Sequence, residues 1–206
     1  MPRSRSVFAI LLALSFFFNG AQALFWRKKI VIGYAVVIKE YADEINDDHK
    51  LRVEEPTSYN PQLGNGFYML NNPDGLPTGV DYWYCAVKAR RWKMKKAGKA
   101  YIPQYNAQRQ TLWAGSEEGF VNYIGETAKL PEPKRALRFS WTKVTDWVLQ
   151  MVIPSAVVTD DRGFNFWAQC FESKEELKKF SKDIIDWGSL WKIKGDPGPK
   201  LDKGRR

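Results

Sequence analysis

A short apolar segment near the N-terminus is the feature that most constrains this chain. Residues 7–18 (VFAILLALSFFF) contain one polar residue, follow two arginines, and precede the small-x-small tripeptide Ala21-Gln22-Ala23. This order is typical of a cleavable secretory signal peptide, and the apolar run is shorter than the ~20 residues that span a bilayer. A buried core helix or an uncleaved anchor is the alternative. We predict a signal peptide over residues 1–23 and a secreted, extracellular chain from Leu24.

The mature chain is basic and has the size of one domain. Residues 1–23 contain two arginines and no acidic residue, so their removal lowers the net charge from +9 to +7. About 180 residues bury a core of their own, and nine tryptophans supply apolar volume for it. We therefore expect one globular domain over residues 24–194, without a transmembrane segment, as a monomer. A positive charge favours anionic surfaces without choosing among them.

The cysteines and the histidine limit the chemistry that this chain can perform. Cys85 and Cys170 are the two cysteines. In an oxidising compartment we expect one disulfide between them, and two buried thiols are the alternative. His49 is the single histidine and lies in a polar stretch that we interpret as an exposed turn. One histidine and two distant cysteines do not make a zinc site, so we expect no metal.

Apolar segments typical of strands alternate with short helical segments along the chain. Helices are predicted over residues 39–48 and 116–124, and a basic segment over residues 90–99 is a third candidate. Strands are predicted over residues 30–38, 62–70, 82–89, 135–141 and 148–153, with a buried aromatic segment at 164–171. This pattern predicts a single small α+β domain with mixed or antiparallel sheets and short helices.

A capping box opens the clearest helix of the chain. Ser173 lies three residues before Glu176, and an apolar stripe follows at Leu177, Phe180, Ile184 and Trp187. These residues predict one helix that continues to Trp187. From Gly195 to Arg206 the chain is polar and rich in Pro and Gly, which predicts a disordered tail.

The basic run between Arg90 and Lys99 has two interpretations. Six of its ten residues are Lys or Arg, a density that suits a phosphate-binding face. A solvated helix face is the more common origin of such a run, and we do not expect nucleic-acid binding.

Two glycines precede an aromatic pair in residues 62–68 (QLGNGFY). Gly64 and Gly66 allow a tight turn and a close approach of the backbone to a ligand, and Tyr68 offers a ring for stacking. A hairpin turn is the ordinary alternative. The segment follows a strand with Gly33-Tyr34, a helix and a loop, and it precedes a further strand. This order resembles the first half of the ADP-ribosyltransferase fold of bacterial polymorphic toxins and poly-ADP-ribose polymerases.

The resemblance implies a site that takes NAD as substrate. In that family the corresponding elements clamp the nicotinamide half of NAD, which implies binding roles for Tyr34, Gly64 and Gly66 and a stacking role for Tyr68. Residues 150–154 (QMVIP) are similar to the family's strand that carries a ribose-binding glutamate, which implies a catalytic role for Gln150. Residues 138–140 are similar to a serine-bearing strand of the family, which implies that Ser140 lines the site.

Two positions depart from the family pattern. Ala35 stands where the family places an Arg or His, and Gln150 replaces the glutamate. A neutral amide bonds a ribose hydroxyl but supplies no charge to stabilise a developing oxocarbenium ion. Glutamine has this role in the related secreted NAD glycohydrolases, whose Arg-Tyr-Gly segment is absent here.

The resemblance therefore implies a secreted, toxin-like effector that binds NAD and either hydrolyses it or transfers ADP-ribose to an unidentified protein acceptor. The alternative is a catalytically inactive effector that binds a host or competitor surface.

Overall fold

The computed structural model describes residues 28–53, 61–143 and 147–200. The predicted signal peptide over residues 1–23 lies outside these described residues, as do residues 201–206 of the predicted tail.

Within the described residues, seven strands form one mixed sheet, which confirms the predicted α+β class. Their order across the sheet is β4-β5-β6-β2-β1-β3-β7, and every neighbouring pair is antiparallel except β4 and β5. The strands are β1 Lys29–Ile38, β2 Gly66–Leu70, β3 Tyr82–Arg90, β4 Lys99–Tyr101, β5 Leu137–Lys143, β6 Trp147–Pro154 and β7 Trp167–Phe171.

The helices are short and pack against this sheet. The α-helices are α1 Lys39–Asp48, α2 Arg91–Lys96, α3 Glu117–Tyr123, α4 Ser155–Thr159, α5 Lys174–Phe180 and α6 Trp187–Leu190. A π-helical turn at Ile124–Ala128 follows α3, and 3-10 turns lie at Pro73–Gly75 and Pro133–Arg135.

Strand β1 lies in the interior of the sheet, as expected from its β-branched, apolar sequence. It pairs with β2 on one side and with β3 on the other, and it buries Ile32, Tyr34 and Ala35. The β1–β3 register shifts between Val31 and Gly33, as at a β-bulge. At this irregularity the Ile32 carbonyl accepts a hydrogen bond of 2.8 Å from the Trp187 indole, which attaches α6 to the sheet.

The end of α1 covers the outer edge of strand β7. The Asn46 side chain accepts a hydrogen bond from the Cys170 amide and donates one to the Cys170 carbonyl. The Ala168 amide donates to the His49 carbonyl at 3.0 Å. These contacts satisfy backbone groups that an edge strand otherwise exposes.

The disulfide joins β3 to the edge strand. Cys85 lies directly opposite Cys170 in the antiparallel ladder, with their Cα atoms 3.9 Å apart. Of the two states that the sequence allows for these cysteines, the structure contains the bonded one.

The predicted helix from Ser173 is shorter than its apolar stripe suggested. Ser173 accepts a hydrogen bond from the Glu176 amide, as a capping residue does, but α5 ends at Phe180. Residues 181–186 continue without helix, and the Ile185 amide donates to the Asn71 carbonyl at 2.9 Å. Contacts with the sheet thus replace the helical hydrogen bonds, and the prediction of one helix to Trp187 is wrong.

Lys194, the last residue of the predicted domain, and the beginning of the predicted disordered tail both contact the sheet. The amide of Lys194 donates to the Lys99 carbonyl, and the Tyr101 amide donates to the Lys194 carbonyl. Further on, the Gly198 carbonyl accepts a hydrogen bond of 3.0 Å from the Trp141 indole. Lys194 therefore pairs with the β4 edge, and the chain after it reaches the Trp141 side chain on β5.

Candidate functional site

Four residues singled out in the sequence lie on one face of the sheet. Tyr34 is opposite Leu70, Leu70 is opposite Gln150, and Gln150 is opposite Ser140. Residues directly opposite each other in antiparallel ladders point to the same face. Tyr68 precedes Leu70 by two residues and shares that face. Since strands lie ~4.8 Å apart, Gln150 is about 10 Å from Tyr34 across β2.

Tyr34 is completely buried beneath the segment that follows α5. Its hydroxyl donates to the Asp183 carbonyl at 2.9 Å and lies 2.7 Å from the Ser181 hydroxyl. Burial, more than any other influence, raises the pKa of the Tyr34 phenol. The side chain is therefore a neutral phenol that anchors residues 181–183 to the sheet.

Tyr68 closes the turn that leads into β2. Its hydroxyl accepts a hydrogen bond from the Leu63 amide and donates one to the Gly64 carbonyl, both at 2.9 Å. These bonds join the Tyr68 hydroxyl to the backbone of the turn and so fix the orientation of its ring. The side chain remains half-buried.

The two glycines of this turn are required by the packing of the chain. Gly64 has φ +80, and a Cβ there would lie 2.6 Å from Arg138 Nη1. A Cβ on Gly66 would lie 2.3 Å from the Ile153 carbonyl oxygen of the adjacent strand. Both distances are shorter than Cβ contacts in proteins, so the glycines permit close approach of other parts of this chain, whereas the sequence suggested close approach of a ligand.

Gln150 is the unusual polar residue of the row. Its side chain is only 6% exposed, and its amide nitrogen Nε2 has no hydrogen-bond partner within the described chain. Its neighbour Ser140 is satisfied, because the hydroxyl donates to the Ile102 carbonyl at 2.8 Å. A buried amide donor without a partner costs stability, and such a group is a candidate for contact with a ligand.

A buried arginine that the sequence did not identify as an anchor supports the turn at Gly64. Arg138 is completely buried on β5 and donates to the Leu63 carbonyl at 2.7 Å. Its guanidinium also forms a two-pronged ion pair with Glu117 in the first turn of α3. The one available signal was a charged residue between the apolar Leu137 and Phe139.

A basic cleft of 390 Å³ lies elsewhere on the domain. Four separate stretches of chain meet there: the end of α2 through Lys99, residues 130–135, residues 162–164 and residues 192–194. Its lining includes one acidic residue, Glu132, and eight basic residues: Lys93, Lys95, Lys96, Lys99, Arg135, Arg162, Lys192 and Lys194.

The His49 side chain packs against strand β7, which corrects the expectation of a freely exposed turn. Its ring stacks on Trp167 with centroids 4.9 Å apart, and Nδ1 lies 3.0 Å from the Ala168 carbonyl oxygen.

Within residues 28–53, 61–143 and 147–200, no group of three or more His, Cys, Asp or Glu side chains gathers as metal ligands. The same described residues contain no helix with the length and hydropathy of a membrane span.

The fold and the row of residues define a small α+β protein with a cross-strand disulfide and a buried sheet amide that has no hydrogen-bond partner among the described residues. The chain belongs to the family of unknown function DUF5910, whose profile matches residues 61–196. The match includes strands β2 to β7 and begins after β1 and α1. No curated protein and no solved structure matches the chain significantly.

Proposed function

We propose that this protein is an extracellular, ADP-ribosyltransferase-like protein that binds NAD and hydrolyses it at the face that carries Tyr34 and Gln150. The observation that carries this proposal is the buried Gln150 amide nitrogen, which has no hydrogen-bond partner among residues 28–53, 61–143 and 147–200. Gln150 lies in one cross-strand row with Tyr34 and Ser140. The resemblance to the ADP-ribosyltransferase fold implies that both of these residues belong to an NAD site.

The chemistry of an amide suits hydrolysis of the nicotinamide–ribose bond. Gln150 both donates and accepts hydrogen bonds, so it can hold adjacent hydroxyls of the nicotinamide ribose. Water then adds to the anomeric carbon while the bond between that carbon and the nicotinamide nitrogen breaks. The products are nicotinamide, ADP-ribose and one proton, which the attacking water releases to solvent. Because the amide carries no charge, its contribution is the orientation of the ribose, and stabilisation of the developing cation by a carboxylate is missing.

NAD binds at this face only if the segment that covers Tyr34 moves away. The ring is 0% exposed, so nicotinamide reaches it only when the contacts to Ser181 and Asp183 open. The covering residues 182–184 are themselves exposed, and Ile184 is 67% exposed. Opening this segment therefore uncovers little apolar surface of its own, which supports access by local rearrangement.

The test measures nicotinamide release from NAD by the purified protein with its disulfide intact. Gln150→Ala removes the proposed ribose contact, and we expect the rate to fall about a hundredfold, as for loss of one oriented donor in other enzymes. The matched control is Gln169→Ala, which removes a half-buried glutamine on β7. Four strand spacings separate the two positions, about 19 Å, so this variant should keep its rate within about twofold.

Three outcomes are informative. Release that disappears in Gln150→Ala and persists in Gln169→Ala supports the hydrolase. NAD binding without release, measured by calorimetry and lost in Gln150→Ala, supports the inactive, binding-only alternative. Folded protein that neither binds nor cleaves NAD refutes the proposed function.

A further inference from the structure

We propose that the basic cleft between α2, the Pro131–Arg135 segment and residues 192–194 binds a compact, multiply phosphorylated molecule. None of its lining residues belongs to the Tyr34–Gln150 row, so this proposal is independent of NAD hydrolysis.

The positive charge of the cleft is assembled by the tertiary structure. Lysines in the last turn of α2 are also explained by the helix dipole, which favours cations at a C-terminus. The helix dipole does not explain the presence of four further basic residues, because they belong to three other parts of the chain: Arg135, Arg162, Lys192 and Lys194. Bringing like charges together costs free energy, and a bound polyanion offsets that cost.

Internal carboxylates neutralise the two arginines but not the lysines. Arg162 pairs with Glu132 at 2.7 Å and with Asp160 at 3.0 Å, and Arg135 lies 3.3 Å from Asp160. Among the described residues, no carboxylate forms an ion pair with the five lysines that reach the cleft from α2 and the C-terminal segment: Lys93, Lys95, Lys96, Lys192 and Lys194.

Lys99, the remaining basic residue of the lining, is buried in the wall of the cleft. Lys99 is 1% exposed, and its ammonium donates to the Met94 and Ala97 carbonyls. Burial lowers the pKa of Lys99 to about 8, and a nearby anion would favour its charged form. The ammonium is thus positioned by the backbone before any ligand arrives.

The shape of the cleft favours a small ligand over a nucleic-acid strand. Its 390 Å³ is in the range of small-molecule sites, about 300–1,000 Å³. Nucleic-acid strands also use free aromatic faces for base stacking, but the amines of Lys93 and Lys96 lie over the Trp92 ring. Phosphate groups clustered within one small molecule match this arrangement best.

The experiment titrates inorganic tripolyphosphate into the purified protein by calorimetry. The cleft variant combines Lys95→Gln, Lys192→Gln and Lys194→Gln, three exposed lysines whose loss should leave the fold unchanged. We expect its affinity to fall at least about tenfold. The matched control combines Lys50→Gln, Lys179→Gln and Lys182→Gln, which removes the same charge outside the cleft and should change the affinity less than about threefold. Melting curves establish that both variants are folded.

A second arm identifies the source of the phosphate groups. Sedimentation with phosphatidylcholine vesicles that contain a phosphorylated phosphatidylinositol tests a lipid headgroup against the free polyphosphate. Binding in either arm that depends on the cleft lysines supports the proposal. No binding in both arms, or equal losses in the two triple variants, overturns it.

Discussion

Replacing Gln150 by methionine should stabilise the protein and abolish its response to NAD. Methionine has nearly the same length and volume as glutamine, so Gln150→Met fills the same space on β6 without a polar group. The substitution removes the buried Nε2 donor, which has no partner within the part of the chain that the structure describes. A residue retained for its ligand contact at the expense of stability should behave in this way.

The expected gain follows from the cost of leaving a buried donor unsatisfied. That cost is about 1–3 kcal/mol, and some local relaxation of the wild type reduces the recoverable part to about 1–2 kcal/mol. For a domain of this size the melting temperature rises about 2–4 °C per kcal/mol, or about 2–8 °C in total.

The assay compares urea and thermal unfolding of wild type, Gln150→Met and Gln169→Met, each with and without NAD. Ligand at about 100 times its Kd should stabilise the wild type by about 2.7 kcal/mol and leave Gln150→Met unchanged. Gln169→Met should keep the NAD response, with an intrinsic stability within about 0.5 kcal/mol of wild type. If Gln150→Met instead destabilises the free protein, the amide has a partner within the fold and the reasoning is refuted.

Two further predictions concern stability. The disulfide closes a loop with a sequence separation of 85, for which chain entropy gives about 4.5 kcal/mol, so Cys85→Ser/Cys170→Ser should lose a large part of that amount in urea unfolding; a loss below about 1 kcal/mol would contradict this mechanism. Lys99 has a pKa of about 8 in the folded chain and an ordinary value of 10.5. Between these values the unfolded chain binds the additional proton, so wild-type stability should rise with pH relative to Lys99→Met, by up to about 3 kcal/mol; parallel pH profiles would contradict the lowered pKa.

Local signals predicted several elements correctly. Helix α1 occupies residues 39–48 in both the prediction and the structure, because its short apolar face and the preceding strand are both visible in neighbouring residues. The capping serines are equally local: Ser116 accepts a hydrogen bond from the Gly119 amide, and Ser173 accepts one from the Glu176 amide. Each of these interactions joins residues three apart in the chain.

Local sequence signals predicted neither strand β4 nor the end of α5. β4 has three residues and gains its hydrogen bonds from β5 and from Lys194. The apolar stripe after Ser173 continues past Phe180, but Tyr34 and Asn71 bind the backbone of the following segment. Partners more than one hundred residues away therefore decided where the helix ends.

The sequence by itself determined the α+β class and, to within one residue, the boundaries of β1, α1, β3 and β6. Only the tertiary structure decided that Cys85 faces Cys170, that Tyr34 and Gln150 share one face, and that Arg138 is buried against Glu117. It also gathered the cations of the basic cleft from four stretches of chain. The physical reason is that hydrophobic periodicity and capping act within a few residues, whereas strand register, ion pairing and charge clustering depend on which distant segments the sheet brings side by side.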